Sequence, residues 1–335
     1  MKTSQRQQIF RVLTILFLLT ILSACQKSSD TSQTTIASQS AGSDNATESV
    51  KDPMPTSKPI TDTMTLPEVQ AFLSLDEYPS VDGSTANLPL MAAVMASSTG
   101  ISYEEATLLC TASKTTEAYY QLLWESADLL LVYEAPESFY EESDFSTSDF
   151  DITPIGRDAL VFIGNENNPV NDLSQDQLRD IYTGKIDTWS RLDGSDHPIT
   201  AFQRPHNSGS QTMFLKLLMK GTQPMEAPGY LMPASMGDLI EVVSSYNNDG
   251  GAIGFSVFYY ANYMYSQPGL KFFSVDGIHP TDATIADGSY PLLNEFYLIT
   301  RRGIDPDSPT AKLAAWIQSD EGREVLRAAG YIPAF

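Results

Sequence analysis

Short, uninterrupted runs of apolar residues recur along this chain and constrain its fold more than any other feature. Residues 129–132 form one such run, and residues 159–163, 252–255 and 296–300 form others. Continuous apolar runs of this length are typical of strands that are buried on both faces of a sheet. Segments with helical patterning lie between them. This alternation predicts an α/β protein with mostly parallel sheets flanked by helices.

The helical segments carry recognisable start signals. Ser174 is placed to cap the helix that follows it, and Thr115 or Thr116 is placed to cap another. The predicted helices span residues 88–96, 117–125, 174–182, 211–219, 310–318 and 321–329.

The N-terminus has the pattern of an export signal. Basic residues precede an apolar stretch, residues 12–22, that is shorter than the roughly 20 residues a membrane-spanning helix needs. The stretch ends in Leu-Ser-Ala-Cys at Cys25, which resembles a bacterial lipobox. We predict a lipoprotein signal peptide over residues 1–24 and lipidation of Cys25. The alternative is an uncleaved membrane anchor with an incidental cysteine.

The segment behind the predicted signal is polar. Residues 25–63 contain almost no large apolar side chains and cannot bury enough surface to offset the entropy of ordering, so we predict a lipid-anchored flexible linker. The rest of the chain is long enough for two lobes. The net charge of −22 argues against nucleic acid as a partner. An anion site on this chain must therefore depend on local hydrogen-bond donors.

Three loops place small hydroxyl-bearing residues or glycine directly before a predicted helix, namely residues 82–85, 113–116 and 204–210. A helix N-terminus presents unpaired N–H groups and a partial positive charge, and glycine lets the backbone approach a ligand closely. Arg204 in the third loop adds a planar, permanently charged group that suits tetrahedral oxyanions. The pattern predicts an anion site, although a serine or threonine before a helix is more commonly an N-cap alone.

The sequence lacks recognisable catalytic and metal-binding patterns. Ser208 lies in Asn-Ser-Gly-Ser, which is not the Gly-x-Ser-x-Gly of a nucleophile elbow, and the three histidines are too widely spaced for a metal-ligand pattern. If Cys25 carries lipid, Cys110 has no cysteine to pair with, and we predict that it is a small core residue. We therefore predict that the protein is not an enzyme and has neither cofactor nor metal.

A set of motifs after residue 80 occurs in the same order in one known family. The motifs are residues 158–163 with Asn168-Pro169-Val170, 173–186 with Trp189, 203–205 with 208–212, 251–255, 290–292 and 330–333. In these motifs the chain resembles the phosphate-binding component of bacterial phosphate ABC transporters. The resemblance implies a two-lobed type II periplasmic-binding-protein fold, in which the lobes close by a hinge motion around a ligand in the cleft.

The same resemblance implies the domain organisation and the setting of the protein. The first lobe is expected over residues 66–163 plus 288–335, and the second over residues 164–287. The expected ligand is phosphate or a similar small oxyanion, and the expected partners are the permease subunits of an ABC transporter. The protein is expected to be a monomer, lipid-anchored at the outer face of the cell membrane.

The resemblance also implies which residues bind the ligand. Arg204, Ser208, Gly209 and Ser210 match the Arg-x3-Ser-Gly-Thr/Ser phosphate loop of the family. Glu134 stands where the family has an Asp that accepts a hydrogen bond from protonated phosphate. An acceptor at that position rejects fully ionised oxyanions such as sulfate, because two acceptors would face each other unpaired.

The first and second loops supply the remaining expected contacts. Ser84, Thr85 and Ala86 match the first loop of the family, in which a threonine hydroxyl and the next backbone N–H face the anion. The second loop is expected to supply a further hydroxyl contact from Ser113, Thr115 or Thr116.

Other functions on the same fold are alternatives. The cleft could bind molybdate, tungstate or sulfate, or the protein could act as a surface ligand sensor or adhesin. The pairs Tyr119-Tyr120 and Tyr259-Tyr260 offer a platform for a sugar or peptide, or they pack in the core, which is the commoner role of such residues. A hydrolase is the least favoured alternative.

Overall fold

The structure is a computed structural model that describes residues 64–245 and 250–334. The predicted signal peptide, the predicted lipidation site Cys25 and the predicted linker up to residue 63 lie outside the described residues. Within the described ranges, no helix is both long enough and apolar enough to cross a membrane.

One long strand is shared by two β-sheets. Strand β3 (Phe150–Asn165) pairs over its first part with β9 (Leu293–Arg301) and over its last part with β6 (Ala252–Val257). We call the first lobe the part of the protein built on the sheet that contains β9. The second lobe is the part built on the sheet that contains β6.

Shorter strands complete both sheets. In the first lobe the order is β1–β2–β9–β3, with β10 on the free edge of β3. In the second lobe the order is β5–β6–β3–β7, and β4 and β8 form a separate pair. The bounds are β1 Val81–Gly83, β2 Leu129–Val132, β4 Asp172–Leu173, β5 Thr200–Ala201, β7 Leu270–Phe272, β8 Ser274–Val275 and β10 Ile332–Pro333.

The two-lobed α/β fold predicted from the sequence is confirmed, and its strand directions follow a simple division. The pairs β1–β2, β5–β6 and β4–β8 are parallel. Strand β3 pairs antiparallel with β9 and with β6, and β2 pairs antiparallel with β9. The predicted parallel pairing therefore describes the outer pairs only, because the chain enters the second lobe along β3 and runs back through the first along β9.

Helices cover the sheets as the sequence predicts. They are α1 Leu88–Thr99, α2 Tyr103–Leu109, α3 Thr115–Leu123, α4 Glu137–Glu142, α5 Gln175–Tyr182, α6 Gly209–Met213, α7 Met236–Ser245, α8 Asp282–Ala286, α9 Pro309–Ile317 and α10 Asp320–Ala328. Ser174 caps α5 as predicted, since its hydroxyl accepts from the backbone N–H of Gln177 at 3.1 Å. Helix α6 continues into a π-helical segment over Phe214–Met219.

The start of α3 differs from the prediction. Its N-cap is Lys114, which forms no side-chain cap bond, so neither Thr115 nor Thr116 is the N-cap. The reason is that both threonine hydroxyls form hydrogen bonds with other residues. The Thr115 hydroxyl lies 2.9 Å from the hydroxyl of Ser84, and the Thr116 hydroxyl donates to the carbonyl of Asn207 at 2.9 Å.

Aromatic side chains fill the cores of both lobes. Tyr119 is buried and packs against Phe139 in the first lobe, with ring centroids 5.2 Å apart. Tyr259 and Tyr260 are also buried, and Tyr120 stacks on Trp124. Tyr119, Tyr259 and Tyr260 are thus packing residues, whereas Tyr120 is half-buried.

Candidate functional site

A cavity of about 340 Å³ lies where the two lobes meet. The loops that the sequence singles out converge there. The first lobe contributes Ser84, Thr85, Ala86 and Thr115 of the predicted set to its lining. The second lobe contributes Arg204, Ser208, Gly209 and Ser210.

Ser84 organises the first-lobe wall of the cavity. Its backbone N–H donates to the carbonyl of Leu131 at 3.2 Å, and its hydroxyl accepts from the backbone N–H of Tyr133 at 3.1 Å. The same hydroxyl is 2.9 Å from that of Thr115. Ser84 is buried, so these bonds are shielded from competing water. One residue therefore joins the end of β1, the end of β2 and the start of α3.

The C-terminal segment supports this wall from behind. The hydroxyl of Tyr331 donates to the carbonyl of Ala86 at 2.7 Å, and the Tyr331 ring stacks on Tyr259 with centroids 3.8 Å apart. The motif at residues 330–333 thus holds the first loop in place.

Asp82 connects the first and second loops. Its carboxylate accepts from the backbone N–H of Gly83 at 2.7 Å and from that of Ser113 at 2.8 Å. The Ser113 amide is therefore directed at Asp82, and among the three hydroxyl candidates of the second loop, Thr115 is the one that lines the cavity. Lys114 also lines it and is half-buried. Sequence reasoning passed over Lys114, although a cation inside a hydroxyl-rich loop was a usable signal.

Arg204 supplies a positive charge from the second lobe. Its guanidinium donates to the carbonyls of Pro233 at 3.0 Å and Ala234 at 3.2 Å, and its backbone N–H donates to the side chain of Gln211 at 2.9 Å. Only 6% of the residue is exposed. A buried guanidinium fixed by neutral carbonyls keeps its full charge, so it can form a strong charge-assisted bond with an anion.

Several contacts cross the cleft and hold the lobes together. The Thr116 hydroxyl donates across it to Asn207, as described above. A Cβ built on Gly209 would lie 2.4 Å from the hydroxyl of Thr115, so only glycine permits this approach. Lys216 on the second lobe forms an ion pair with Glu134 on the first.

Two predicted ligand residues are thus placed outside the cavity. Thr116 is used in the bond to Asn207, and Glu134 is paired with Lys216 and lines a neighbouring cavity of about 670 Å³. The prediction that Glu134 accepts a hydrogen bond from the ligand therefore has no support in this arrangement. The reason is local, since Tyr133 and not the residue after it faces the cavity at the end of β2.

Asp158 lies behind the cavity where β3 passes between the lobes. It is buried, and it accepts from the hydroxyl of Tyr133 at 2.6 Å and from the backbone N–H groups of Ala159 at 2.7 Å and Tyr259 at 3.2 Å. Burial raises the pKa of Asp158 to about 6, although these hydrogen bonds oppose the shift. One carboxylate thus joins the cavity wall to the second lobe.

The site as a whole presents hydrogen-bond donors and positive charge. Serine and threonine residues of three loops line one cavity together with Lys114 and Arg204. Among the described residues, no group of three or more His, Cys, Asp or Glu side chains is positioned to hold a metal ion. The arrangement is suited to holding a small oxyanion by hydrogen bonds and charge.

Comparisons with known sequences agree with this geometry. A family profile described as "PBP superfamily domain" matches residues 31–321. The phosphate-binding protein PstS of Bacillus subtilis is 31% identical over 144 residues, which are 43% of this chain and 44% of that protein. The phosphate-binding protein PstS of Borreliella burgdorferi is 25% identical over 185 residues, which are 54% of this chain and 64% of that protein. The chain thus spans less than two thirds of each relative.

Solved structures share the fold. An ABC-type phosphate transport receptor from Vibrio cholerae superposes with a TM-score of 0.57 at 22% identity, over 76% of this chain and 99% of that one. A phosphate ABC transporter substrate-binding protein from Clostridium perfringens, with bound phosphate, superposes with a TM-score of 0.60 at 22% identity, over 77% of this chain and all of that one. At this identity the likeness establishes the architecture.

Gly209→Ala should weaken anion binding by opening the cleft. The added methyl group would collide with the buried Thr115 hydroxyl, and overpacking of this kind costs about 1–3 kcal/mol, or roughly tenfold in affinity. Calorimetric titration with phosphate measures the change. Gly229→Ala is the matched control, because a Cβ there meets nothing within 4 Å. Unchanged affinity of the Gly209 variant would show that this contact does not belong to the bound form.

Asp158→Asn should remove a pH-dependent loss of stability. An unfolded aspartate titrates near pH 4 and Asp158 near pH 6, so the folded protein holds an extra proton between these values. The contribution of Asp158 to the free energy of unfolding is therefore largest below about pH 4. It falls by about 2–3 kcal/mol as the pH rises through 6. Urea unfolding at several pH values should show this fall in the parent and not in Asp158→Asn.

The exposed Asp144→Asn serves as the control for that series. It should retain the fall in the free energy of unfolding between pH 4 and 6. A parent protein and an Asp158 variant with parallel pH profiles would contradict the assignment.

Proposed function

This chain belongs to the PBP superfamily, and from that membership we propose that it captures phosphate outside the cytoplasm and presents it to an ABC transporter. The observation that carries the proposal is the convergence of three donor-rich loops, two from one lobe and one from the other, on a cavity that Arg204 lines. The relatives named above are phosphate-binding proteins, which supports phosphate as the ligand.

Capture occurs by closure of the lobes around the anion. Ser84, Thr85 and Thr115 bind it from the first lobe, and Arg204 with the loop 208–210 binds it from the second. Because an anion held between the lobes bonds to both, it stabilises the closed form over the open form. The cross-cleft contacts add to this preference. The closed form is the one that docks on the permease subunits of the transporter.

Lipid attachment fits this role. The predicted signal peptide over residues 1–24, the lipid on Cys25 and the linker over residues 25–63 would keep a monomeric receptor close to its permease at the outer face of the membrane. The lobes of that receptor correspond to residues 66–163 plus 288–335 and to residues 164–287. The shared strand β3 supports a hinge near residue 160, where its pairing changes from β9 to β6.

One observation favours a second candidate ligand. Glu134, the expected acceptor for protonated phosphate, is paired with Lys216 away from the cavity. A site without that acceptor binds sulfate or another oxyanion as readily as phosphate. Titration of ligand-free protein with phosphate, sulfate, molybdate and tungstate decides between the two. Tight one-to-one binding of phosphate supports phosphate capture, and silence toward phosphate rejects it.

Arg204→Ala should weaken phosphate binding at least tenfold. A charge-assisted hydrogen bond is worth roughly 1.5–3 kcal/mol, and removing it leaves the anion facing neutral donors only on this wall. Calorimetric titration gives the affinity, and thermal unfolding shows whether the loss of the bonds to Pro233 and Ala234 also destabilises the fold. Arg191→Ala is the control, because that arginine is half exposed and pairs with Asp187. An Arg204 variant that binds like the parent would remove this residue from the site.

Glu134→Gln should weaken phosphate binding a few-fold and leave the phosphate-to-sulfate ratio unchanged. The reason is that its ion pair with Lys216 crosses the cleft and is partly exposed, so it contributes about 0.2–1 kcal/mol to closure. A double-mutant cycle with Lys216→Met isolates this coupling. A changed anion ratio in Glu134→Gln would show instead that this carboxylate reaches the ligand.

A further inference from the structure

Two pairs of hydroxyl-bearing residues line the cavity, one pair on each lobe. On the first lobe the hydroxyl oxygens of Ser84 and Thr115 are 2.9 Å apart, and on the second those of Ser208 and Ser210 are 3.0 Å apart. In each pair either oxygen can be the donor of the hydrogen bond that joins them. The direction of each bond is therefore set by the other groups that the two oxygens contact.

An N–H group anchors one member of each pair. The backbone N–H of Tyr133 donates to the hydroxyl of Ser84 at 3.1 Å. The Nε–H of Arg204 donates to the hydroxyl of Ser208 at 3.5 Å. Each of these donors fills one of the two acceptor positions of the hydroxyl oxygen that it contacts.

Thr115 and Ser210 are the outer members of the pairs. Among the described residues, their hydroxyls bond only to their partners within the pair. The Thr115 oxygen lies between Ser84 and Gly209, both of which line the cavity, and a Cβ on Gly209 would be 2.4 Å from it. Thr115 is 5% exposed and Ser210 is 4% exposed, so bulk water has little access to either. A ligand in the cavity is therefore the partner that remains for the outer hydroxyls.

A count of hydrogens shows what each pair can offer. A hydroxyl has one hydrogen and two acceptor positions. If Ser84 donates to Thr115, the hydrogen of Thr115 is left for a ligand. If Thr115 donates to Ser84, both acceptor positions of Ser84 are filled, its own hydrogen is left, and Thr115 presents acceptor positions alone. Rotation of two hydroxyls thus changes Thr115 from a donor to an acceptor with no movement of a heavy atom, and the same holds for Ser210 beside Ser208.

An acceptor is what a protonated ligand needs here. No carboxylate lies among the described residues that line the cavity, because Glu134 is paired with Lys216 elsewhere. A buried donor that finds no acceptor lowers affinity, and so does an acceptor that faces another acceptor. A wall that can present either group meets a protonated oxygen and a fully ionised oxygen equally well.

We propose that Thr115 and Ser210 are the specificity-determining residues of the cavity, and that they accept the proton of hydrogen phosphate or donate to sulfate by reversal of the hydroxyl pairs. The ligand class is therefore the tetrahedral oxyanion with or without a proton. This assignment rests on the proposed function and adds to it how the site treats that proton.

Two anions that differ in the proton test the assignment. At pH 8 phosphate and sulfate are both tetrahedral and carry two negative charges, but only phosphate has a proton to donate. The parent should bind both, with affinities within about tenfold of each other. The variants are Thr115→Val, Ser210→Ala and the double variant, titrated calorimetrically with each anion at this pH.

The double variant should have a phosphate-to-sulfate affinity ratio about tenfold below that of the parent. The reason is that Ser84 and Ser208 keep their hydrogens for sulfate, whereas hydrogen phosphate loses both outer acceptors. Each single variant should lower the ratio by less, since the other pair still accepts the one proton. The single variants also keep the ratio measurable if the double variant binds weakly.

Thr116→Val is the matched control. The Thr116 hydroxyl donates to Asn207 across the cleft, and the residue does not line the cavity. Its loss should weaken both anions alike through closure and leave the ratio unchanged. Thr115→Ser keeps the hydroxyl, so Thr115→Ser combined with Ser210→Ala should have the ratio of Ser210→Ala alone.

The outcomes distinguish this inference from phosphate capture. If the parent binds phosphate and the substitutions at Thr115 and Ser210 leave the ratio unchanged, phosphate capture stands and the role of the hydroxyl pairs is wrong. The same conclusion follows if Thr116→Val lowers the ratio as much as they do, or if the parent binds phosphate and not sulfate. If the parent does not bind phosphate, both proposals are wrong.

Discussion

A single strand that belongs to two sheets is the constraint on which the rest of this structure depends. Along β3 the hydrogen-bond partner changes from β9 to β6 within a few residues, so the two lobes are covalently and cooperatively joined at that point. Asp158 lies at the junction and bonds to the Tyr133 hydroxyl in one lobe and the Tyr259 amide in the other. The lobe closure proposed above therefore has its hinge in this region. The loops that face the cleft can meet only in the register that the strand allows.

This acidic protein has to hold an anion against its own net charge. The chain carries a net charge of −22, so its overall field repels the ligand proposed for it. The cavity instead offers local groups from separate loops, namely serine and threonine residues and the two cationic residues Lys114 and Arg204. Interactions over a few ångströms in a buried site are weakly screened, whereas the distant surface charges are strongly screened at physiological ionic strength. Local geometry therefore outweighs bulk charge.

Closure and binding share the same residues. Thr115 lines the cavity, bonds to Ser84 and also meets Gly209 across the cleft. The proposed ligand contact and the contact between the lobes therefore share one side chain. The ion pair between Glu134 and Lys216 lies further out and acts on closure alone in this arrangement. The family resemblance assigns ligand selection to Glu134, but here Glu134 pairs with Lys216 of the other lobe.

The sequence by itself determined the elements and most of the site. The buried strands were evident because they are continuous apolar runs, and the anion loops because serine, threonine, glycine and Arg204 precede helices in them. Seven of the predicted ligand residues that line the cavity belong to these loops, and an eighth, Ala86, was implied by the family resemblance. Local patterns can identify such positions because helix starts and strand cores depend on neighbouring residues only.

The tertiary structure alone decided the direction of the central strands, the placement of Glu134 and Thr116 outside the cavity, and the contacts of Asp158 and Tyr331. Each of these depends on partners far away in the chain: Glu134 and Lys216 are 82 positions apart, and Ala86 and Tyr331 are 245 positions apart. Contacts at that separation leave no periodic signal, because they arise only when distant parts of the chain are packed together in the folded protein.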